Sequence, residues 1–188
     1  VITDITERIF FQGRYDQEDL LKSLTSVMVS EMNVKFLEIK LIKVLTTEMK
    51  VSSAAFVLLS DLNSKPAILT QKSASTKDYH ELKPLMHKVK STLVFEDISD
   101  ESLKDVFRKL NISVLIPLTV GDEDIGLFIL GPKLSGDIYA ERDLELLAIF
   151  APQAAIALKN ADSYRQIQEF NQTLELKVID RTHKLEEA

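Results

Sequence analysis

Three histidines, His80, His87 and His183, are the side chains in this sequence best suited to move a proton near neutral pH. His80 and His87 are seven residues apart in a segment whose pattern predicts a short helix. Zinc ligands on a helix normally stand three or four residues apart, and no cysteine completes a site. The spacing therefore favours a surface or pocket-lining role over metal or haem ligation, and His183 is predicted to be solvated.

The other motifs of enzyme chemistry are missing from the sequence. Its lack of cysteine excludes disulfides, thiolate metal sites, a cysteine nucleophile and a thioether-attached chromophore. No Gly-x-Ser-x-Gly elbow supports a serine nucleophile, and the five glycines are scattered, so no loop is built to cradle a phosphate. We predict no catalytic residue, no metal and no identified cofactor, and we leave open an unknown small-molecule ligand.

Composition and charge narrow the class of protein further. The 188 residues carry a net charge of −6, which argues against binding nucleic acid through its phosphates. The longest apolar runs fall far short of the roughly 20 residues that span a bilayer, and no secretory signal opens the chain. We predict a cytoplasmic protein without direct membrane insertion, and the start at Val1 rather than methionine suggests a piece of a longer chain.

These side chains must be positioned by a fold that mixes helices and strands. Apolar residues three and four apart predict helices over 16–32, 34–49, 99–110 and 141–188, and apolar runs between turn residues predict strands. Asn33 can stop one helix or cap the next, and Ser99 or Asp100 can cap the helix that runs to Leu110. There are too few crossover helices for a doubly wound sheet, so we predict an α+β fold with a mostly antiparallel sheet.

The last quarter of the chain, from Glu141 to Ala188, reads as one helix without a glycine. At about 1.5 Å per residue it is on the order of 70 Å long, more than twice the width of a small domain. Its first half is expected to complete the fold, with a kink at Pro152. Its second half must pair with something outside that fold.

Residues in this second half alternate spacings of three and four, which is typical of a coiled-coil seam. Asparagine at such a seam favours one register and a parallel dimer, so we predict a homodimer. A plain amphipathic helix is the alternative. With two leucines of the first predicted helix, the dimer seam comprises Leu20, Leu24, Tyr164, Ile167, Asn171, Leu174, Val178, Arg181 and Leu185.

Between Ile112 and Tyr164 the chain contains IPL at 116–118, GDEDIGLFIL at 121–130, DLELL at 143–147 and APQAAIALKNA at 151–161. Together these pieces resemble the last third of GAF domains, which are cytoplasmic sensory modules related to PAS domains. Residues 174–188 resemble the connector found before the phosphoacceptor helices of sensor histidine kinases. The same kind of connector also precedes cyclase-type output domains.

The resemblance implies a GAF/PAS-like central antiparallel sheet flanked by helices. One face would hold a ligand cavity, and on the other long N- and C-terminal helices would form a dimeric bundle. Ala140 stands where relatives often have Ser or Thr as the helix cap, and Asp137 or Asp143 is expected to compensate. The Asn-Lys-Phe-Asp-Glu set of cyclic-nucleotide-binding members is absent. The cavity candidates are His87, Phe95, Phe107, Arg108 and Thr119. For the two phenylalanines, simple core positions are the alternative.

On this resemblance the chain is the sensory module of a bacterial sensor histidine kinase, acting on kinase domains in cis. It comprises an N-terminal linker and signalling helix (1–33), a GAF domain (34–160) and a coiled-coil connector (161–188). The fragment is expected not to catalyse a reaction, whereas its parent would be a phosphotransferase. The alternatives are a ligand-free dimerisation spacer, or the GAF module of a cyclase, a phosphodiesterase or a transcriptional regulator. A GAF-type methionine sulfoxide reductase would need cysteines that the chain lacks.

Overall fold

The computed structural model describes residues 15–59, 68–70, 82 and 84–186, and the side chains of 68–70 and 183–186 lie outside this description. His80 also lies outside the described residues. The helices are α1 (Gln17–Ser30), α2 (Val34–Glu48), α3 (Glu101–Leu110) and α4 (Glu141–Glu186). The strands are β1 (Ser53–Leu58), β2 (Ile68–Thr70), β3 (Leu93–Val94), β4 (Val114–Val120) and β5 (Glu123–Leu130).

The five strands form one antiparallel sheet in the order β2-β1-β5-β4-β3. The central hairpin of β4 and β5 turns at Gly121, whose positive φ of 60° suits a residue without a side chain. Gly126 allows β5 to approach β1, because a Cβ there would lie 2.3 Å from the carbonyl oxygen of Val57. This antiparallel sheet with flanking helices confirms the predicted α+β fold class.

Short polar side chains begin three of the helices. Asp16, Asn33 and Asp100 accept hydrogen bonds from backbone N–H groups in the first turns of α1, α2 and α3. Asn111 ends α3 in the left-handed conformation, with a φ of 55°. These local signals explain why the observed helix starts agree with the predicted ones.

One face of the sheet carries α2 and α4, with α1 packed against both helices. An aromatic stack joins this layer to the sheet: the ring centroids of Phe56 and Phe128 are 4.6 Å apart, and those of Phe128 and Phe150 are 5.5 Å apart. Small side chains such as Ala154 are fully buried and let α4 lie close to the strands. Up to Thr182, where the description of its side chains ends, the last buried residue of α4 is Ala161.

The first helix shares this core, which corrects part of the predicted dimer seam. Leu20 and Leu24 are 2% and 0% exposed and pack against α2 and α4 of the same chain. They are therefore core residues and offer no surface to a second copy. The predicted boundary at residue 33 falls between two helices that share one hydrophobic core.

The opposite face of the sheet is covered by α3 and by residues of the 82–98 region. Phe107 of α3 is fully buried there, in a cluster that includes Leu115 and Leu127 of the central hairpin. Phe107 thus lies in this core cluster, and its role as a wall of a ligand cavity stays a prediction.

Candidate functional site

Asp143, in the first turn of α4, connects the first and last parts of the described chain. Its side chain is 2% exposed and accepts hydrogen bonds from the Tyr15 hydroxyl at 2.6 Å and from Lys133 Nζ. It also accepts the backbone N–H of Ala140 at 2.8 Å, which is half of a capping box. Of the two residues expected to compensate for Ala140, Asp137 and Asp143, it is Asp143 that accepts a backbone N–H at the start of α4, namely that of Ala140 itself.

We call this group the Asp143 node, comprising Tyr15, Lys133 and Asp143. Burial by itself would raise the pKa of Asp143, but the hydrogen bonds from Lys133 and Tyr15 outweigh it and hold that pKa below its usual range. Burial and the bond to Asp143 raise the pKa of Tyr15 well above its ordinary value, so its hydroxyl stays protonated and donates. The node is therefore a charged connection centred on the buried Asp143, which accepts three hydrogen bonds.

Two further contacts hold the same segments together. Gln17 Nε2 donates to the backbone oxygen of Arg142 at 2.6 Å. The guanidinium of Arg142 lies 5.5 Å from the ring centroid of Tyr15, within the range of a cation–π contact. The residues that lead into α1 are thus fixed to the first turn of α4 at several points.

A second polar group lies at the tip of the β4–β5 hairpin. We call it the hairpin tip, and it comprises His87, Lys90, Glu123, Asp124 and Lys159. Asp124 contacts His87 Nδ1 at 3.0 Å and accepts from Lys90 Nζ at 3.0 Å, and these bonds lower the pKa of Asp124. Its neighbour Glu123 accepts from Lys159 of α4. Successive residues of a strand point to opposite faces, so the tip joins the layer containing α3 to the layer containing α4.

The five predicted cavity residues do not meet in one place. His87 lies at the hairpin tip, and the exposed Thr119 is paired with Asp124 in the hairpin register. These two candidates therefore share a neighbourhood, although it is an ion-pair cluster at the surface rather than an enclosed cavity.

Phe95 and Arg108 form a separate group beside α3. The Arg108 guanidinium and Lys104 Nζ lie 5.9 Å and 5.6 Å from the Phe95 ring centroid. Arg108 is also bonded to Asp105 at 2.6 Å and to Glu101 at 3.3 Å. The guanidinium of Arg108 is thus half exposed and already donates to two carboxylates on its own helix.

Beyond Ala161, α4 leaves the domain with its apolar side chains exposed. Seven exposed residues of α4, two of them before Ala161, fall within about a 120° arc of the helix at 3.6 residues per turn, and we call them the α4 stripe. They are 42% to 63% exposed, and they are Ile149, Ile156, Tyr164, Ile167, Phe170, Leu174 and Val178. Asn171 and Arg181 lie exposed within the same arc, and the side chain of Leu185 is outside the described residues.

The sequence reasoning missed parts of these groups for different reasons. Ile149, Ile156 and Phe170 repeat at multiples of seven beside the predicted seam, so their spacing could have revealed a stripe that begins within the domain. No such signal exists for Tyr15, which lies 128 positions from Asp143. Contacts at that separation follow from the fold and leave no local pattern.

Metal ligation and membrane insertion are two further possibilities for this chain. Within the described ranges, no group of three or more His, Cys, Asp or Glu side chains could hold a metal ion. One described helix, α4, has the length and apolar composition of a membrane-spanning segment. Its apolar first half lies in the hydrophobic core, which accounts for that composition without a bilayer.

Comparisons with known proteins show which solved structures share this fold. No family model matches the sequence, and no curated protein matches it. Among solved structures, a methyl-accepting chemotaxis protein fragment is 15% identical with a TM-score of 0.58, over 75% of this chain and 98% of that one. The GAF domain of an Acinetobacter phosphoenolpyruvate-protein phosphotransferase is 10% identical with a TM-score of 0.58, over 80% of this chain and 97% of that one.

A third similar structure is an enzyme. The free methionine-R-sulfoxide reductase from Neisseria meningitidis, in complex with its substrate, is 13% identical with a TM-score of 0.55, over 79% of this chain and 91% of that one. At these identities the likeness concerns the fold, which is that of GAF domains. The same fold serves a chemotaxis protein and a reductase, so function must be argued from the residues of this chain.

Proposed function

We propose that this GAF-fold chain is a cytoplasmic sensory or regulatory module of a bacterial sensor histidine kinase. In this proposal it acts as a parallel homodimer. A small ligand, or a signal from an upstream segment, changes how α4 sits on the sheet, and α4 passes that change to kinase domains that follow in cis. The module itself catalyses nothing, and the absence of cysteine argues against the reductase chemistry of its structural neighbour.

The observation that carries the proposal is the division of α4. Its first half is built into the core up to Ala161, and its second half continues to Glu186 with apolar side chains exposed. Most of the stability of a helix in a protein comes from packing of its apolar face, so in this proposal a partner helix covers the exposed surface. The resemblance of residues 174–188 to a kinase connector supports the direction of output.

In this proposal, two contacts on the first half of α4 receive the incoming signal. The Asp143 node fixes the start of α4 to Tyr15, the first described residue, so in this proposal a signal from upstream reaches α4 through Tyr15. The hairpin tip fixes α4 at Lys159 to the strand that also contacts His87. A change in either place acts on α4 directly, before the helix leaves the domain.

A chimera tests the proposal. Residues 1–188 are fused before the dimerisation and catalytic domains of a histidine kinase, and one to seven residues are inserted after Ala188. If α4 transmits a helical state, autophosphorylation should vary with the insert and return to its starting level at seven residues, or two turns of a coiled coil. Kinase activity that is indifferent to the phase of the insert would overturn the relay.

A ligand-free dimerisation spacer is the second candidate. It is favoured by the apolar packing on the α3 face, where Phe107 and Leu115 are fully buried. A thermal-shift screen of small metabolites separates the two. A ligand at one hundred times its dissociation constant stabilises the folded state by about 2.7 kcal/mol, whereas a spacer shows no shift with any compound.

A further inference from the structure

Polar contacts from both layers of the domain meet on two successive residues of the hairpin tip. Asp124 contacts His87 Nδ1 and Lys90 Nζ, each at 3.0 Å, while Glu123 accepts from Lys159 of α4. Because successive residues of a strand point to opposite faces, one short piece of backbone carries a contact on each side of the sheet. A displacement of that backbone therefore changes both sets of contacts together.

An irregularity in the strand pairing separates this backbone from the rest of the hairpin. The register shifts between Leu118 and Thr119, so that Ile125 of β5 has no residue opposite it in β4. A bulge of this kind bends a strand and increases its twist. We call residues 119–124, which lie beyond the bulge, the β4–β5 turn. Since two residue pairs hold this turn, it is able to tilt about the bulge while the buried part of the hairpin stays in place.

On the α3 side, the contacts of the turn are connected to the core of that layer. Met86 and Val89 are 2% and 7% exposed and belong to the apolar cluster on that face. They are the chain neighbours of His87 and Lys90, so a change in the packing of this layer moves the two cations. The side chain of Asp124 is 14% exposed, and its contacts with them are partly shielded from water.

On the α4 side, the contact of the turn is weaker and more easily changed. The side chains of Lys159 and Glu123 are 36% and 60% exposed. An exposed ion pair is favoured over its separated state by only about 1.5-fold to fivefold, so both states are populated. A cleft of about 280 Å³ lies between the turn and α4, with Glu123 and Lys159 among its lining residues. The turn therefore has room to move towards the helix or away from it.

We propose that the β4–β5 turn couples the α3 face of the sheet to α4, because the contacts of Asp124 and Glu123 compete for its position. When His87 and Lys90 release Asp124, the turn moves towards α4, and the carboxylate left without cations strengthens the attraction for Lys159. This coupling rests on the proposed function, in which α4 carries the output. It names the route by which a change on the opposite face of the sheet reaches that helix.

Backbone amide chemical shifts of the full chain measure this coupling, since two states in rapid exchange give one averaged peak for each amide. Glu123→Gln removes the ion pair and defines the direction in which the α4 peaks around Lys159 move when the pair opens. The double variant His87→Ala and Lys90→Met changes two exposed side chains, so the fold should be retained. It should move the same peaks along the same line in the opposite direction, with about a twofold rise in the ratio of closed to open pairs.

The matched control is Arg108→Met. It removes a half-exposed cation on the same face of the sheet, whose two carboxylate partners both lie on α3, and it should leave the α4 peaks in place. Coupling between two sites is reciprocal, so Lys159→Met should in turn shift the amide peaks of residues 86–90. Unmoved peaks in that segment would contradict the coupling.

Three further outcomes would overturn the inference. The first is a double variant whose α4 peaks stay in place, and the second is a movement in the same direction as that of Glu123→Gln. The third is a movement that persists when Glu123→Gln is added, because it would reach α4 without the ion pair. The measurement needs no kinase fusion, so its failure is distinguishable from that of the proposed function. A chimera indifferent to the phase of its insert would overturn the relay and leave these shifts as expected.

Discussion

The two halves of α4 are one continuous helix in two environments. In the first half, Phe150 and Ala154 are fully buried against the sheet, and the apolar side chains complete a core. In the second half, Phe170 and Val178 are 63% and 62% exposed, although the residue types are similar. The difference shows that an apolar stripe in the sequence identifies one face of a helix. Only the fold shows whether the same chain buries that face.

The polar contacts of the two halves differ in the same way. Asp143 is buried and accepts hydrogen bonds from three donors, whereas the ion pair of Arg165 and Glu169 lies on an exposed helix surface. Breaking a buried charge network leaves an uncompensated charge, while an exposed pair is screened by water. The first half is therefore fixed in place by buried contacts, whereas the described polar contacts of the second half are exposed and weak.

Replacing Phe150 should give the largest effect. Phe150→Ala removes a buried ring from the aromatic stack and should lower the free energy of unfolding by about 3–5 kcal/mol. The same change at Phe170 should alter it by less than about 0.5 kcal/mol in dilute monomeric solution. Urea denaturation of both variants measures the difference, and equal losses would mean that the second half also belongs to the core.

Asp143→Asn should have the next largest effect. It leaves Lys133 buried without its carboxylate and should lower the free energy of unfolding by about 3 kcal/mol near neutral pH. Glu169→Gln, which breaks an exposed pair, should cost less than about 1 kcal/mol. Chemical denaturation of the two variants provides the comparison.

The pH dependence gives the Asp143 comparison a second readout. The folded-state pKa of Asp143 is depressed, so its contribution to stability is complete above the unfolded-state pKa of about 3.9 and is lost as the pH falls towards the folded-state value. The stability gap between Asp143→Asn and the unmodified chain should therefore narrow below about pH 4. A gap that stays constant down to acid unfolding would argue against a charged Asp143.

Pro152 should give a smaller effect, in the stabilising direction. The helix continues through Pro152, whose missing N–H leaves the carbonyl oxygen of the exposed Ala148 without its usual helical bond. Pro152→Ala should raise the free energy of unfolding by about 1–3 kcal/mol, and the control Gln153→Ala should change it by less than about 0.5 kcal/mol. A loss of stability would indicate that the proline sets the path of α4 over the sheet.

The sequence predicted those elements whose signals are local. Asn33 and Asp100 begin helices where a cap was expected, and Gly121 marks the central turn, because capping and positive φ depend on a few neighbouring residues. The predicted cap role of Asp143 is confirmed for the same reason.

The less successful predictions concern which part of the molecule packs against an apolar face. Leu20 and Leu24 have the spacing of a seam, but an amphipathic helix has that spacing whether it packs on its own chain or on another. Phe107 illustrates the same ambiguity for a cavity wall and a core. Tyr15 and Lys133 were not anticipated as partners of Asp143, because only the folded topology brings these distant segments together.

The pairing of the second half of α4 can be tested most directly by cross-linking. The chain has no cysteine, so Asn171→Cys introduces a single thiol at the predicted seam, and Thr173→Cys places one on the opposite side of the helix. In a parallel, in-register dimer the two thiols introduced at the seam lie within disulfide reach, and mild oxidation should yield covalent dimer for Asn171→Cys alone. No covalent dimer, or equal cross-linking at both positions, would contradict a parallel dimer through α4.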